Sequence, residues 1–92
     1  MAVDKRAFQL QQVLNLVAQQ EWTQVSSRFD GPKITLVIRR KFTDERLPVR
    51  QFEIDKMVKL VRTFGWTADS TNIDGNAVTV QLVKTLEGEV SS

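Results

Sequence analysis

Residues 21–31 read EWTQVSSRFDG, and residues 65–75 read GWTADSTNIDG. The two phrases share Trp-Thr near the start, a serine in the middle and Asp-Gly at the end. They lie 44 positions apart, and the likeness continues on both sides at the same offset. Setting 8–41 against 52–85 without gaps gives 9 identities in 34 pairs: Phe8/Phe52, Leu16/Leu60, Val17/Val61, Trp22/Trp66, Thr23/Thr67, Ser26/Ser70, Asp30/Asp74, Gly31/Gly75 and Thr35/Thr79. Chance would give roughly two at ordinary residue frequencies. Leu10/Ile54, Val13/Met57, Leu14/Val58 and Ile34/Val78 keep apolar character at matching positions. Such a period is the signature of an internal duplication.

Upstream of each phrase lies a helical pattern. Leu10, Val13, Leu14 and Val17 recur at i, i+3, i+4 and i+7, as do Ile54, Met57, Val58 and Val61. That spacing places four apolar side chains on one stripe of a helix. Asp4 suits the N-cap of the first helix, and Pro48 suits the first turn of the second. Gly65 suits the left-handed residue that ends a helix.

Each phrase itself reads as a strand. Asp-Gly is a favoured pair for a two-residue type I′ hairpin loop. The returning strands are KITLVIRRK at 33–41 and AVTVQLVKT at 77–85, both alternating and rich in β-branched residues. The strict loop sets Val25 opposite Leu36 and Asp69 opposite Val80. A carboxylate facing the core is costly unless paired, so Asp69 is expected at a solvent margin of the sheet.

The order is therefore αββαββ. It predicts one α+β domain over 1–92, a two-layer sandwich with a four-stranded antiparallel sheet and two helices on one face. Repeat 1 covers about 4–41, a linker 42–49, repeat 2 about 50–85, and a frayed tail 88–92. A pseudo-twofold axis between the copies follows from the duplication.

Composition narrows the function classes. The chain has 92 residues, 41% hydrophobic and 26% charged, ordinary values for a soluble domain. No apolar run nears the roughly 20 residues a membrane helix needs. The N-terminus shows no signal-peptide core, and the absence of cysteine fits a reducing compartment. A cytoplasmic location is expected. Without histidine and cysteine, the usual general base, the thiolate nucleophile and the commonest transition-metal ligand are missing. No glycine-rich phosphate loop occurs. Asp30 and Asp74 read as turn residues, Asp44-Glu45 as a solvated pair, and Glu53 with Asp55 as acids near the start of the second helix, where they favour its dipole. The expectation is a non-enzymatic protein with no catalytic residue, no cofactor and no metal.

That leaves the sheet face away from the helices. Alternation assigns to it Trp22, Arg28, Lys33, Val37, Arg39 and Lys41 from the first copy, and Trp66 and Val83 from the second. Phe42 and Arg46 in the linker are further candidates for contact. A half-apolar open face suits a protein partner or a homo-oligomer, which is the expected function. The alternative is single-stranded nucleic acid, with bases stacked on Trp22 and phosphates held by Arg28, Lys33, Arg39 and Lys41. The net charge of +2 is weak for that role. Both tryptophans follow a helix directly, so burial beneath the helix ends competes with either role.

Overall fold

A computed structural model describes residues 5–42 and 47–86, with backbone alone for 47–49. The element order is α1 (Lys5–Ala18), β1 (Thr23–Asp30), β2 (Lys33–Lys41), α2 (Leu47–Arg62), β3 (Thr67–Asp74) and β4 (Ala77–Thr85). The expected αββαββ architecture is present. The strands form one antiparallel sheet in the order β1-β2-β4-β3. The second helix starts at Leu47, so the end of the expected linker belongs to α2. Asp4, Arg46 and the tail 88–92 lie outside the described residues.

The apolar stripes of both helices pack on one side of the sheet. Val13, Val17, Ile54, Met57 and Val61 meet Ile34, Leu36 and Ile38 from β2 and Val78, Val80 and Leu82 from β4. Alternation along the two central strands puts those six strand residues on a single face. The edge strands β1 and β3 are exposed throughout, so the core is concentrated on β2, β4 and the helices.

The two halves repeat each other bond by bond. Trp22 N–H donates to Val17 O at 3.0 Å, and Trp66 N–H to Val61 O at 3.1 Å. The Arg6 guanidinium donates to Gly31 O at 3.1 Å, and that of Arg50 to Gly75 O at 2.8 Å. Phe42 N–H donates to Asn76 O, and Leu86 N–H to Pro32 O. Each half therefore closes the other's hairpin. In the central ladder Val37 pairs with Gln81, its own counterpart 44 residues on. The local twofold axis thus passes between Val37 and Gln81, through the middle of the sheet.

Two features depart from the strict register. The loops are Gly31-Pro32 and Gly75-Asn76, because Asp30 pairs with Lys33 and Asp74 with Ala77. Only the first loop position has positive φ, 60° at Gly31 and 61° at Gly75. That is the type II′ pattern, with glycine at the first central position, in place of type I′. Pro32 enforces it, since its ring holds φ near −65°.

The second departure is a β-bulge in each edge strand, at Val25 between Gln24 and Ser26 and at Asp69 between Ala68 and Ser70. A bulge adds one residue and so reverses which face every preceding residue takes. Trp22 and Trp66 are carried from the open face to the helix side, where they are 2% and 0% exposed. Their expected place on the open face is corrected accordingly. Thr71, and not Asp69, lies opposite Val80. Asp69 is exposed on the edge strand, at the sheet margin.

Both helices end in the same cap. Glu21 N–H donates to Ala18 O and Trp22 N–H to Val17 O, the paired bonds of a Schellman motif. The residue in the left-handed region is Glu21 in the first copy, with φ 68°, and Gly65 in the second, with φ 86°. A side chain costs roughly 1–2 kcal/mol there. Glu21→Gly is therefore expected to stabilise the fold by about 0.5–1 kcal/mol, after loss of its exposed 3.3 Å ion pair with Arg40. Gly65→Ala should destabilise by about 1–2 kcal/mol, since the added Cβ also meets Lys84 Cε at 3.2 Å. Thermal unfolding of the two variants should move in opposite directions.

Candidate interaction face

The strands place two different surfaces on the two sides of the sheet. On the helix side, each central strand ends in a base that ties the halves together. Arg40 donates to Glu53 Oε1 at 3.0 Å and to Glu21 Oε2 at 3.3 Å, and its guanidinium lies 4.5 Å from the Phe42 ring centroid. Lys84, its counterpart, donates to Gln9 Oε1 and to Phe64 O, both at 2.6 Å. These two cations are held by the fold and are not offered to a partner.

Among the described residues, no helix lies over the opposite side. Arg28, Lys33, Val37, Arg39, Lys41 and Val83 share this face, as alternation and the observed pairings require. Their assembly on one surface agrees with the expectation for those six residues. The four cations are exposed, whereas Val37 and Val83 are half-buried by their neighbours in the sheet. Thr35, between the strands that carry Arg28 and Val83, is only 8% exposed. Ser26, Ser27, Arg28, Thr35, Val37 and Gln81 line a shallow depression of about 350 Å³ beside the β1 bulge.

Other candidates lie elsewhere. Trp22 and Trp66 are core residues, for the reason given above. Phe42 is also buried, at 4% exposure, with its ring edge-on to Trp22 at 6.2 Å and 81°. Its expected role as a linker contact is corrected: the chain past β2 folds Phe42 back under the helix layer, where burial of the ring is worth more than exposure. Arg46 lies outside the described residues.

Charge divides the open face between the copies. The β1–β2 half carries Arg28, Lys33, Arg39 and Lys41, with Asp30 as its acid. The β4–β3 half carries Asp69 and Asp74 and no cation among the described residues. Gln81 Nε2 donates to Asp69 Oδ2 at 3.0 Å, which fixes the bulged carboxylate toward the open face. Asp69 is the site residue missed in the sequence, because strict alternation gave it the other side.

Among the described residues no cluster of three or more Asp, Glu, His or Cys could hold a metal ion. No helix among them is long and apolar enough to cross a membrane. Comparisons with protein-family models, with known proteins and with solved structures find no match.

Proposed function

We propose that this is a non-enzymatic interaction protein that binds a protein partner, or itself, through the open face of the sheet. The observation that carries the reading is the uncovered centre of that face. Val37, Thr79, Gln81 and Val83 are already half-buried without a second layer. A partner laid on them would displace little bound water and would remove apolar surface from solvent. The edge strands are less suited to the task, because each carries a bulge that twists it away from flat edge-to-edge pairing. Duplication of one αββ unit accounts for the repeated bonds, and the cysteine-free composition fits a cytoplasmic setting.

Nucleic acid is the weaker reading. The cations remain on the surface, but Trp22 is buried, so no base can stack on it. Cross-linking in the native cells separates the two. The doubly substituted Val37→Glu/Val83→Glu protein should stay folded and lose its cross-linked protein adducts. A control substitution on the exposed helix surface, Gln11→Glu, should keep them. Adducts that survive in the face variant would overturn the reading.

A further inference from the structure

We infer that the partner on this face is a second copy of the chain, stacked sheet on sheet so that β1–β2 of each copy lies over β4–β3 of the other. This inference rests on the reading of the sheet face as an interaction surface. The internal twofold through Val37 and Gln81 makes the face nearly self-similar after half a turn. Two dockings of a second copy are therefore close to equal in shape. In one the dimer axis runs across the strands, and in the other it runs along them.

Charge separates them. An axis across the strands sets β1 over β1 and β2 over β2. Arg28, Lys33, Arg39 and Lys41 would then face the same four cations, and like charges across an interface are strongly disfavoured. An axis along the strands sets β1 over β3 and β2 over β4. Arg28, level with Thr35 and Val83, then comes over Thr67, and Asp69, beside Gln81 near the level of Val37, lies one step further along β3, about 7 Å away and within reach of the long arginine side chain. Asp74, level with Lys41 through Ala77, lies one strand aside from the Arg39–Lys41 end of the facing β2, about 4.8 Å across the sheet and diagonal to those two cations. Val37 meets Gln81, and Thr35 meets Val83, at the centre. The cationic half of each copy is thus matched to the anionic half of the other, twice per dimer.

The dimensions allow such a pair. Four strands about 4.8 Å apart and about 30 Å long give about 600 Å² of face per copy, or about 1,200 Å² for the pair. That is the low end of specific interfaces and implies a reversible dimer. Stacked sheets lie about 10 Å apart, a gap that arginine and aspartate side chains can bridge together.

Sedimentation of the pure 92-residue chain tests the assignment. Wild type should dimerise. Arg39→Glu/Lys41→Glu and Asp69→Lys/Asp74→Lys should each weaken the dimer on the order of tenfold or more. All four positions are exposed, and far-UV circular dichroism should show both variants folded. Mixed in equal amounts, the two variants should associate again, because one is acidic on the half where the other is basic. A mixture no tighter than either variant alone would overturn the swapped arrangement. Wild type that stays monomeric at about 1 mM, the limit of weak association, would overturn the second copy as partner. In that case, cross-linking to another protein that Val37→Glu/Val83→Glu abolishes would leave the sheet-face reading standing. A wild-type dimer unaffected by any of these substitutions would overturn the swapped arrangement and place self-association off the sheet face.

Discussion

Trp66→Ala is expected to remove most of the stability of the fold. Trp66 is fully buried, and with Trp22 it is among the largest enclosed side chains. Truncating such a ring costs about 3–5 kcal/mol in transfer free energy and residual cavity. A domain of this size has about 5–10 kcal/mol in total. The urea midpoint should fall by about a third or more. Trp22→Ala should act similarly and add the loss of its edge contact with Phe42, worth about 0.5–1.5 kcal/mol. Trp66→Phe should be much milder, about 1–2 kcal/mol. The indole N–H of each tryptophan is buried without a hydrogen-bond partner among the described residues. Phenylalanine therefore breaks no hydrogen bond and removes a desolvated donor. An alanine variant with a near-wild-type midpoint would show that the ring does not hold the helix-to-strand corner.

The same tryptophans mark where sequence reasoning succeeded and where it failed. The 44-residue period exposed the repeated unit, because both copies need the same stripe, the same Schellman corner and the same tight turn. Element order, the four-stranded sheet and the helix-covered face all followed from that. Face assignment failed upstream of residue 25, since alternation holds only while the ladder is unbroken. A signal was present. Trp22 has even parity, whereas Val25 and Phe29 have odd parity, so the large apolar residues of β1 cannot all share one face of a regular strand. A bulge resolves the conflict, and Trp66 with Ile73 repeats it in β3. The loop type had its signal too, in the proline after Gly31. Asp69 was invisible as a site residue because its partner, Gln81, is brought near only by that bulge. On β2 and β4, which have no bulge, every face assignment stands.

Those central strands give the sharpest contrast available in the chain. Ile38 and Val37 are neighbours in β2, similar in size and hydropathy, and they point to opposite sides of the sheet. Ile38 is fully buried against the helices. Ile38→Asp creates a cavity and also places a carboxylate among the buried apolar side chains of the core. The first effect costs about 2–5 kcal/mol and the second adds several more, so the chain should not fold. Val37→Asp should cost only about 1 kcal/mol, because one side of Val37 meets solvent and the main loss is β-propensity and partial packing. Circular dichroism and a urea titration should therefore show one unfolded chain and one near-native chain from the same substitution one residue apart. The folded Val37→Asp protein then isolates the surface from the core. Its added negative charge sits where the local twofold meets the face, and burying it against another sheet would carry the full cost of desolvating a carboxylate. Association through this face should fall on the order of a hundredfold or more while the monomer persists. Retained association by a folded Val37→Asp chain would move the binding surface off the sheet, to the helix layer, where Phe8 and Phe52 stand 59% and 64% exposed at equivalent positions in the two copies.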